Sequence, residues 1–253
     1  MRALMIEGKD AGDFLHRVTA GTVKGLEPGQ GAGNVLLTGQ SRMLAQFDLL
    51  RVGPEAYLAV SPPECFVPLT QGLEGLQFAE DLKIAPVPIR VGVFPVGRPG
   101  TRDRIFKFEG GFPSLVWPSA VPGYALMLGA GGEELPEGFA FDRIGAGVPW
   151  PILDWDENTP ALEAGMLPWI DRHKGCYPGQ EVVERSLNVG HPARVMQSVE
   201  GPRLPENVSP ARVLSFAHRD GVVRAMLRAP WNQRENAPEG FRLLQTFIAE
   251  QPN

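Results

Sequence analysis

Glycine and proline residues interrupt this chain at short intervals from one end to the other. The 253 residues include 30 glycines and 25 prolines, which are spread along the sequence and are not confined to a repeat. Because both residue types end helices and strands, this distribution predicts many turns between short elements and is not typical of a disordered tract. A chain of this length can bury a substantial core in one large domain or in two to three small ones.

The balance of residue types predicts an ordinary soluble globular protein. Hydrophobic residues make up 43% and charged residues 21% of the sequence. The net charge of -5 provides no general attraction for nucleic acid or acidic membranes, although a local basic patch remains open. Cys65 and Cys176 are too few for a disulfide framework and favour a reducing compartment.

The beginning of the sequence and the length of its apolar runs indicate where in the cell the protein is expected. Charged residues occur in the first ten positions before an apolar segment of signal-peptide length can develop, and no run approaches the ~20 apolar residues of a membrane span. We therefore expect a cytoplasmic protein with no membrane partner.

Local patterns predict short helices and strands. Helices are expected at 10–18, with Asp10 as N-cap, after Ser61, and at 139–144. Strands are expected at 34–38, 43–52, 56–60, 84–96, 105–108, 114–117, 124–128, 212–216 and 221–228. The glycine-rich stretch 27–33 lacks the Lys-Ser/Thr ending of a phosphate-binding loop, so a plain turn is expected there.

The segment 171–194 concentrates a thiol, four basic side chains and two histidines. Gly175 and Gly179 flank Cys176-Tyr177-Pro178, which predicts a turn, and the apolar spacing that follows predicts a helix from Gln180 to Arg185. Cys176 would then precede a helix N-terminus, where unpaired N–H groups and the helix dipole favour a thiolate. The alternatives are a reactive or ligand-binding thiol and a structural turn with a small buried cysteine.

Other chemistries in the sequence have weaker support. A closed structural zinc site normally needs four ligands, and this segment offers only three candidates, His173, Cys176 and His191. Transient contact of one thiolate with an iron–sulfur cluster remains an open alternative. A Cys–His nucleophilic pair lacks an identifiable third, orienting residue. The adjacent acids of the 154–157 turn are expected to be solvated and not catalytic.

A long motif within 171–194 resembles a known family. Residues 174–181 read Lys-Gly-Cys-Tyr-Pro-Gly-Gln-Glu and, with Arg185, Gly190 and Arg194, resemble the Lys-Gly-Cys-Tyr-x-Gly-Gln-Glu signature of the YgfZ-type folate-binding proteins. These proteins are relatives of the glycine-cleavage aminomethyltransferase, or T-protein, and support iron–sulfur cluster assembly or repair. Segments 8–19, 37–42, 143–149 and 160–163 are also similar to the family pattern, so the resemblance spans nearly the whole chain.

The resemblance implies an α+β, T-protein-like folate-binding fold. Two interleaved α/β, ferredoxin-like subdomains over residues 1–187 would surround a central channel, and residues 188–253 would form a short C-terminal β-barrel module. The channel would hold tetrahydrofolate or a derivative. Phe139 is then expected to stack on the pterin, and Arg143 or Arg42 to meet a folate carboxylate.

The same resemblance implies a function for the motif. The chain would be a folate-binding accessory protein for iron–sulfur cluster assembly or repair, with cluster client or assembly proteins as partners, and would support tRNA-modifying cluster enzymes indirectly, without contacting nucleic acid. Cys176 would be the reactive or cluster-contacting group, and Lys174 would tune its thiol. Gly175 and Gly179 would let the turn form. The residues expected to organise the motif are Tyr177, Gln180, Glu181 and Arg185.

The sequence departs from the related families at two positions, which leaves alternatives open. Gly145 stands where aminomethyltransferases generally carry an acidic pterin contact, and this counts against efficient aminomethyl transfer. Ser41 stands where the family usually has glycine. The alternatives are a folate-dependent one-carbon transferase or demethylase, and a non-catalytic scaffold that presents Cys176 to a partner.

Overall fold

The computed structural model describes residues 1–96, 104–129, 135–206 and 208–246, and these form three antiparallel sheets and four short helices. The strands are β1 (Arg2–Glu7), β2 (Gln30–Leu37), β3 (Met43–Arg51), β4 (Ala56–Ser61), β5 (Lys83–Pro86), β6 (Val91–Pro95), β7 (Ile105–Lys107), β8 (Glu109–Gly111), β9 (Ser114–Pro118), β10 (Tyr124–Leu128), β11 (Arg194–Gly201), β12 (Arg212–Arg219), β13 (Val222–Pro230) and β14 (Arg242–Thr246). The helices are α1 (Ala11–Val18), α2 (Pro63–Leu76), α3 (Phe139–Gly145) and α4 (Gln180–Asn188), with 3-10 turns at Leu167–Trp169 and Trp231–Gln233.

The first sheet has six strands in the order β5-β1-β4-β3-β2-β7 and is buried on both faces. Because side chains alternate along a strand, Tyr57 and Ala59 of β4 belong to one core while Leu58 and Val60 belong to another. The first core is covered by α1 and α2, which bury apolar residues at helical spacing. The second core lies against the four-stranded sheet β6-β10-β9-β8.

The third sheet contains the C-terminal strands in the order β12-β13-β11-β14. Its outer strands β12 and β14 lie at opposite edges and do not pair with each other in the described part of the chain. The expectation of a C-terminal barrel was therefore wrong for the described residues, which form an open sheet. Four strands are fewer than the five or so of the smallest common barrels.

Most predicted elements are confirmed, with two corrections. The stretch 27–33 is a turn only as far as Gly29, because β2 begins at Gln30. A Cβ at Gly31 would lie 2.6 Å from the Phe106 ring, and one at Gly33 would lie 3.0 Å from the Trp169 ring. These close ring contacts explain why glycine occupies a strand there. The predicted strand 84–96 is in fact two strands, β5 and β6, in different sheets.

The remaining predictions concern a loop and the membrane. The sequence also predicts a loop from Gly129 to Gly138, half of which, residues 130–134, lies outside the described residues. Every helix in the described ranges is too short or too polar to cross a lipid bilayer.

Candidate functional site

A cavity lies between the first and second sheets, where β3 presents polar side chains to an otherwise apolar core. Ala45, Phe47 and Leu49 point from β3 into the core beneath the helices, so Gln46 and Asp48 project from the opposite face. The cavity and its mouth enclose about 430 Å³ of empty space, of which about 40 Å³ can hold the centre of a water molecule. The lining residues are Met1, Gln46, Phe47, Asp48, Val60, Pro62, Val93, Ser119, Ala120, Val121, Leu126, Phe139, Val148, Trp150 and Trp169.

Hydrogen bonds hold the two polar side chains of β3 in place. The Trp117 indole donates to Asp48 Oδ2 at 2.9 Å. Gln46 accepts a hydrogen bond from the Trp155 indole at 2.8 Å and donates one to the Pro149 carbonyl at 3.0 Å. Both side chains are more than nine-tenths buried. A carboxylate and an amide fixed in this way offer acceptors to a flat ligand that carries N–H donors.

An aromatic wall closes the cavity on another side. Phe139 of α3 packs edge-to-face against Tyr124, with ring centroids 5.1 Å apart, and against Trp150, with centroids 5.8 Å apart. Phe139 and Trp150 both line the cavity. Aromatic pairs of this geometry are favourable contacts in their own right and present a planar, apolar surface. The structure therefore places Phe139 at the cavity. Its stacking on a pterin stays a prediction.

Arg143 of α3 is buried in an internal ion pair. Its Nη1 lies 2.6 Å from Asp154 Oδ2, and its Nη2 donates to the Ser215 hydroxyl at 3.0 Å. The same Asp154 oxygen accepts the Trp150 backbone N–H at 2.8 Å. The expectation of a solvated acid was thus wrong for Asp154, which is 1% exposed. A ligand carboxylate would have to displace Asp154 before it could reach Arg143.

Arg42 lies in the turn between β2 and β3. Its Nη1 donates to the backbone carbonyl and the side-chain oxygen of Asn158 at 3.1 and 3.2 Å. In the same turn Ser41 has φ +60°, a left-handed conformation that glycine adopts more easily. This backbone geometry gives a physical reason why the pattern that the chain resembles usually has glycine at that position.

The Cys176 motif is anchored on this turn. Gly179 is the N-cap of α4 and has φ +83°. A Cβ at Gly179 would lie 2.6 Å from the Thr38 carbonyl oxygen and 2.8 Å from the Ser41 nitrogen, so only glycine permits this approach. Cys176 itself is exposed, and the predicted helix after it is confirmed but extends to Asn188. The alternative of a small buried cysteine in this turn was therefore wrong.

Lys174 and Tyr177 point into the protein on either side of Cys176. The Lys174 ammonium donates to the Thr19 carbonyl at 2.6 Å and to the Gly21 carbonyl at 2.8 Å, just beyond the end of α1. Burial lowers the pKa of Lys174 to about 8. Burial also raises the pKa of Tyr177, whose hydroxyl has no hydrogen-bond partner among the described residues. The lysine thus ties the motif to the chain after α1, and its effect on the thiol stays a prediction.

The other motif residues have simpler surroundings. Glu181 and Arg185 form an exposed i,i+4 ion pair at 2.8 Å, which contributes little to stability. The Gln180 backbone N–H donates to the Tyr177 carbonyl at 3.2 Å and so closes the turn. A Cβ at Gly175 would lie 3.7 Å from His16 Nε2. His16, on α1, is therefore an imidazole beside the motif that the sequence does not reveal.

The structure divides the residues predicted to contact folate, because Arg42 lies in the turn that anchors the Cys176 motif, away from the cavity lining. Phe139 lines the cavity, whereas Cys176 is exposed at the turn before α4. His191 stacks on Trp231 with ring centroids 4.8 Å apart. Within the described ranges, no three His, Cys, Asp or Glu side chains are grouped closely enough to hold a metal ion.

Three residues at the cavity were not predicted from the sequence: Gln46, Asp48 and Trp150. The signal for the first two is present: from Met43 to Leu50, β3 is apolar except for two polar residues at alternate positions, which is unusual for a strand buried on both faces. For Trp150 no such signal exists, because its position depends on the turn that Asp154 organises.

Comparison with known proteins establishes the fold. No protein-family model matches the chain. A chloroplastic protein of Arabidopsis thaliana, provisionally named as a transferase, is 26% identical over an alignment of 220 positions, and the match covers 73% of this chain. The match covers 50% of that relative, so the chain spans about half of the relative's length.

Among solved structures, the chain is similar to the crystal structure of the glycine cleavage system aminomethyltransferase T from Bartonella henselae. The TM-score is 0.74, the sequence identity is 17%, and the match covers 92% of this chain and 77% of the other. The predicted T-protein-like fold is therefore confirmed, while the narrower YgfZ-type assignment stays a prediction.

Proposed function

We propose that the chain binds a reduced folate, tetrahydrofolate or a derivative, in the cavity between the first two sheets. The observation that carries this proposal is the presence of Gln46 and Asp48 on the inner face of β3, next to an aromatic wall, in a T-protein-like fold. Polar side chains are uncommon in a buried strand interior, and here hydrogen bonds to Trp117, Trp155 and the Pro149 carbonyl hold both of them at the cavity.

The residues present fit the chemistry of a pterin. The ring is flat and carries N–H donors on one edge. The Asp48 carboxylate and the Gln46 side-chain oxygen can accept hydrogen bonds from these donors. Phe139 and Trp150 supply an apolar face. The water-accessible part of the cavity holds only about three waters, so the aromatic wall would have to move outward as the ring enters. When bound, tetrahydrofolate would supply one pterin ring nitrogen and the adjacent arylamine nitrogen as carriers of one-carbon units.

Tryptophan fluorescence tests this proposal. Because Trp150 and Trp169 line the cavity, emission should fall in a saturable way as tetrahydrofolate is added. A Trp150→Phe variant should lose part of the change. A Trp231→Phe variant, which alters a tryptophan outside the cavity lining, in the 3-10 turn after β13, should retain it. Unchanged emission of the wild-type chain at physiological folate concentrations would count against folate binding.

We further propose that the chain is an accessory protein for iron–sulfur enzymes and acts through Cys176. Three features support this role: the thiol is exposed, it precedes the N-terminus of α4, and it lies in the motif that resembles the YgfZ-type signature. A thiolate there would contact a cluster transiently or react with a partner, with Lys174, Gly175 and Gly179 fixing the turn. Its partners would be cluster client or assembly proteins in a reducing compartment such as the cytoplasm, with tRNA-modifying enzymes among those supported.

A folate-dependent one-carbon transferase is the second candidate, favoured by the likeness to an aminomethyltransferase structure and to a protein named as a transferase. Gly145 argues against efficient aminomethyl transfer. A Cβ there would lie 2.4 Å from Arg224 Nη1, so the Arg224 side chain, which pairs with Glu200, would have to shift to admit an acidic side chain. Formation of methylene-tetrahydrofolate from an aminomethyl or N-methyl donor would favour the transferase.

A further inference from the structure

The outer face of α2 carries little charge although it faces solvent. The helix contains only two charged residues, Glu64 and Glu74, one near each end. Between them Val67 is 57% exposed, and Pro68 and Gln71 are exposed as well. The opposite face of α2 is buried against the first sheet. A helix with apolar residues on both faces is typical of an element that packs against a partner on each side.

Phe78, two residues beyond the end of α2, is 96% exposed. The loop that carries it is nevertheless held firmly. Glu80 Oε2 accepts the backbone N–H groups of Phe78 at 2.8 Å and of Ala79 at 3.1 Å, and the Arg17 guanidinium pairs with the other carboxylate oxygen. An aromatic side chain fixed in this way loses little conformational freedom on binding and is typical of the anchors of protein interfaces.

A largely apolar groove lies at the opposite end of α2. Pro63 and Phe66 of the helix line it, with Val87 and Ile89 on the other side. The groove contains about 1260 Å³ of open space, which is more than a phenylalanine side chain occupies. One helix thus has an exposed aromatic ring at its C-terminal end and an apolar groove at its N-terminal end.

We propose that two copies of the chain pair through the outer faces of α2, antiparallel, about a two-fold axis at Gln71. Glu64 and Phe78 lie at equal sequence distances from Gln71, roughly 10 Å along the helix in either direction. The pairing therefore brings Phe78 of one copy to the N-terminal end of α2 in the other copy. There its ring enters the groove lined by Pro63 and Phe66. The two-fold axis repeats the contact, so both rings and both grooves are used.

The charges at the two ends of α2 match the antiparallel arrangement. Glu74 of one copy would lie opposite Pro68 of the other, near the Arg2 guanidinium, which is 5.3 Å from the centre of the Phe66 ring. This contact of acid and base also occurs twice. A parallel pairing would instead set Glu74 beside Glu74 and Glu64 beside Glu64, and like charges across an interface are unfavourable.

Gel filtration with light scattering tests the pairing. The wild type should be mostly dimeric at about 50 μM, with a dissociation constant on the order of 10 μM, as for a small interface. Phe78→Ser should weaken the dimer about tenfold or more, because it removes the aromatic anchor. Phe216→Ser changes another exposed phenylalanine, on β12 of the third sheet, and should leave the dimer unchanged. A monomeric wild type, or a Phe78→Ser variant that pairs as the wild type does, would overturn the proposal.

An exchange of charges tests the antiparallel arrangement. Glu74→Arg and Arg2→Glu each place like charges at both contacts, so either variant alone should dimerise about tenfold more weakly than the wild type. An equimolar mixture of the two variants should recover the dimer, because opposite charges then meet at both contacts. A mixture that stays as monomeric as its components would overturn the antiparallel pairing. None of these measurements involves folate, so their failure would leave the folate proposal intact.

Discussion

Replacing Asp154 by alanine is expected to lower the free energy of unfolding by about 3–5 kcal/mol. The change leaves the Arg143 guanidinium buried without its carboxylate and removes the acceptor of the Trp150 N–H. It also removes the acceptor of the hydrogen bond that the Ser215 hydroxyl donates. An uncompensated buried charge costs far more than the loss of an exposed pair. Urea denaturation monitored by circular dichroism measures the effect.

Two variants sharpen this measurement. Glu157→Ala removes an exposed acid from the same turn and should change stability by about 0.5 kcal/mol or less. Replacing both members of the pair, Arg143→Met with Asp154→Leu, should be less destabilising than Asp154→Ala alone, because no buried charge remains. A loss below about 1 kcal/mol for Asp154→Ala would contradict the role given to the ion pair.

Replacing Cys176 by serine is expected to abolish the ability of the chain to restore iron–sulfur enzyme activity. The measurement is tRNA methylthiolation in a cell that lacks its own homologue and expresses either the wild type or the variant. Serine retains the size of the side chain but cannot supply a thiolate. Because Cys176 is exposed, the substitution should change the free energy of unfolding by about 0.5 kcal/mol or less, so a loss of activity would not reflect unfolding.

The second cysteine provides the matched control. Cys65 is buried in α2, and burial raises the pKa of its thiol to about 12, so it remains protonated and unreactive. Cys65→Ala should therefore restore methylthiolation as the wild type does. Full restoration by Cys176→Ser would exclude the proposed role of this thiol.

Local patterns were sufficient to predict most elements of the fold. The apolar spacing before Thr19 predicts α1, because a period of 3.6 residues marks one buried helix face. The short apolar run from Met43 onward predicts β3, because such a run is typical of a strand buried on both faces. The open third sheet was not predictable in this way. Closure depends on which distant strands pair, and the strand pattern of β12 and β13 is the same in a barrel and in a sheet.

The candidate site was less predictable than the fold. The turn at Gly179 could be expected from the motif, but the reason for its glycine, the backbone of the 38–41 turn, is about 140 residues away in sequence. Asp154 and Arg143 likewise form a buried pair only because the third sheet covers them through Ser215. A charged residue in a glycine- and proline-rich turn normally remains solvated, so its burial depends on tertiary packing alone.

The central proposal is that tetrahydrofolate binds between the first two sheets with its pterin at Asp48. Calorimetric titration of the wild type and of Asp48→Asn measures this directly. Asparagine retains the shape of the side chain but loses its charge and one of its two acceptor oxygens. A control, Asp220→Asn, alters an exposed aspartate in the turn before β13. We expect tetrahydrofolate to bind the wild type and the control equally, and Asp48→Asn about tenfold or more weakly, as for loss of a charged hydrogen bond. Equal binding to all three proteins, or to none, would contradict the proposed site.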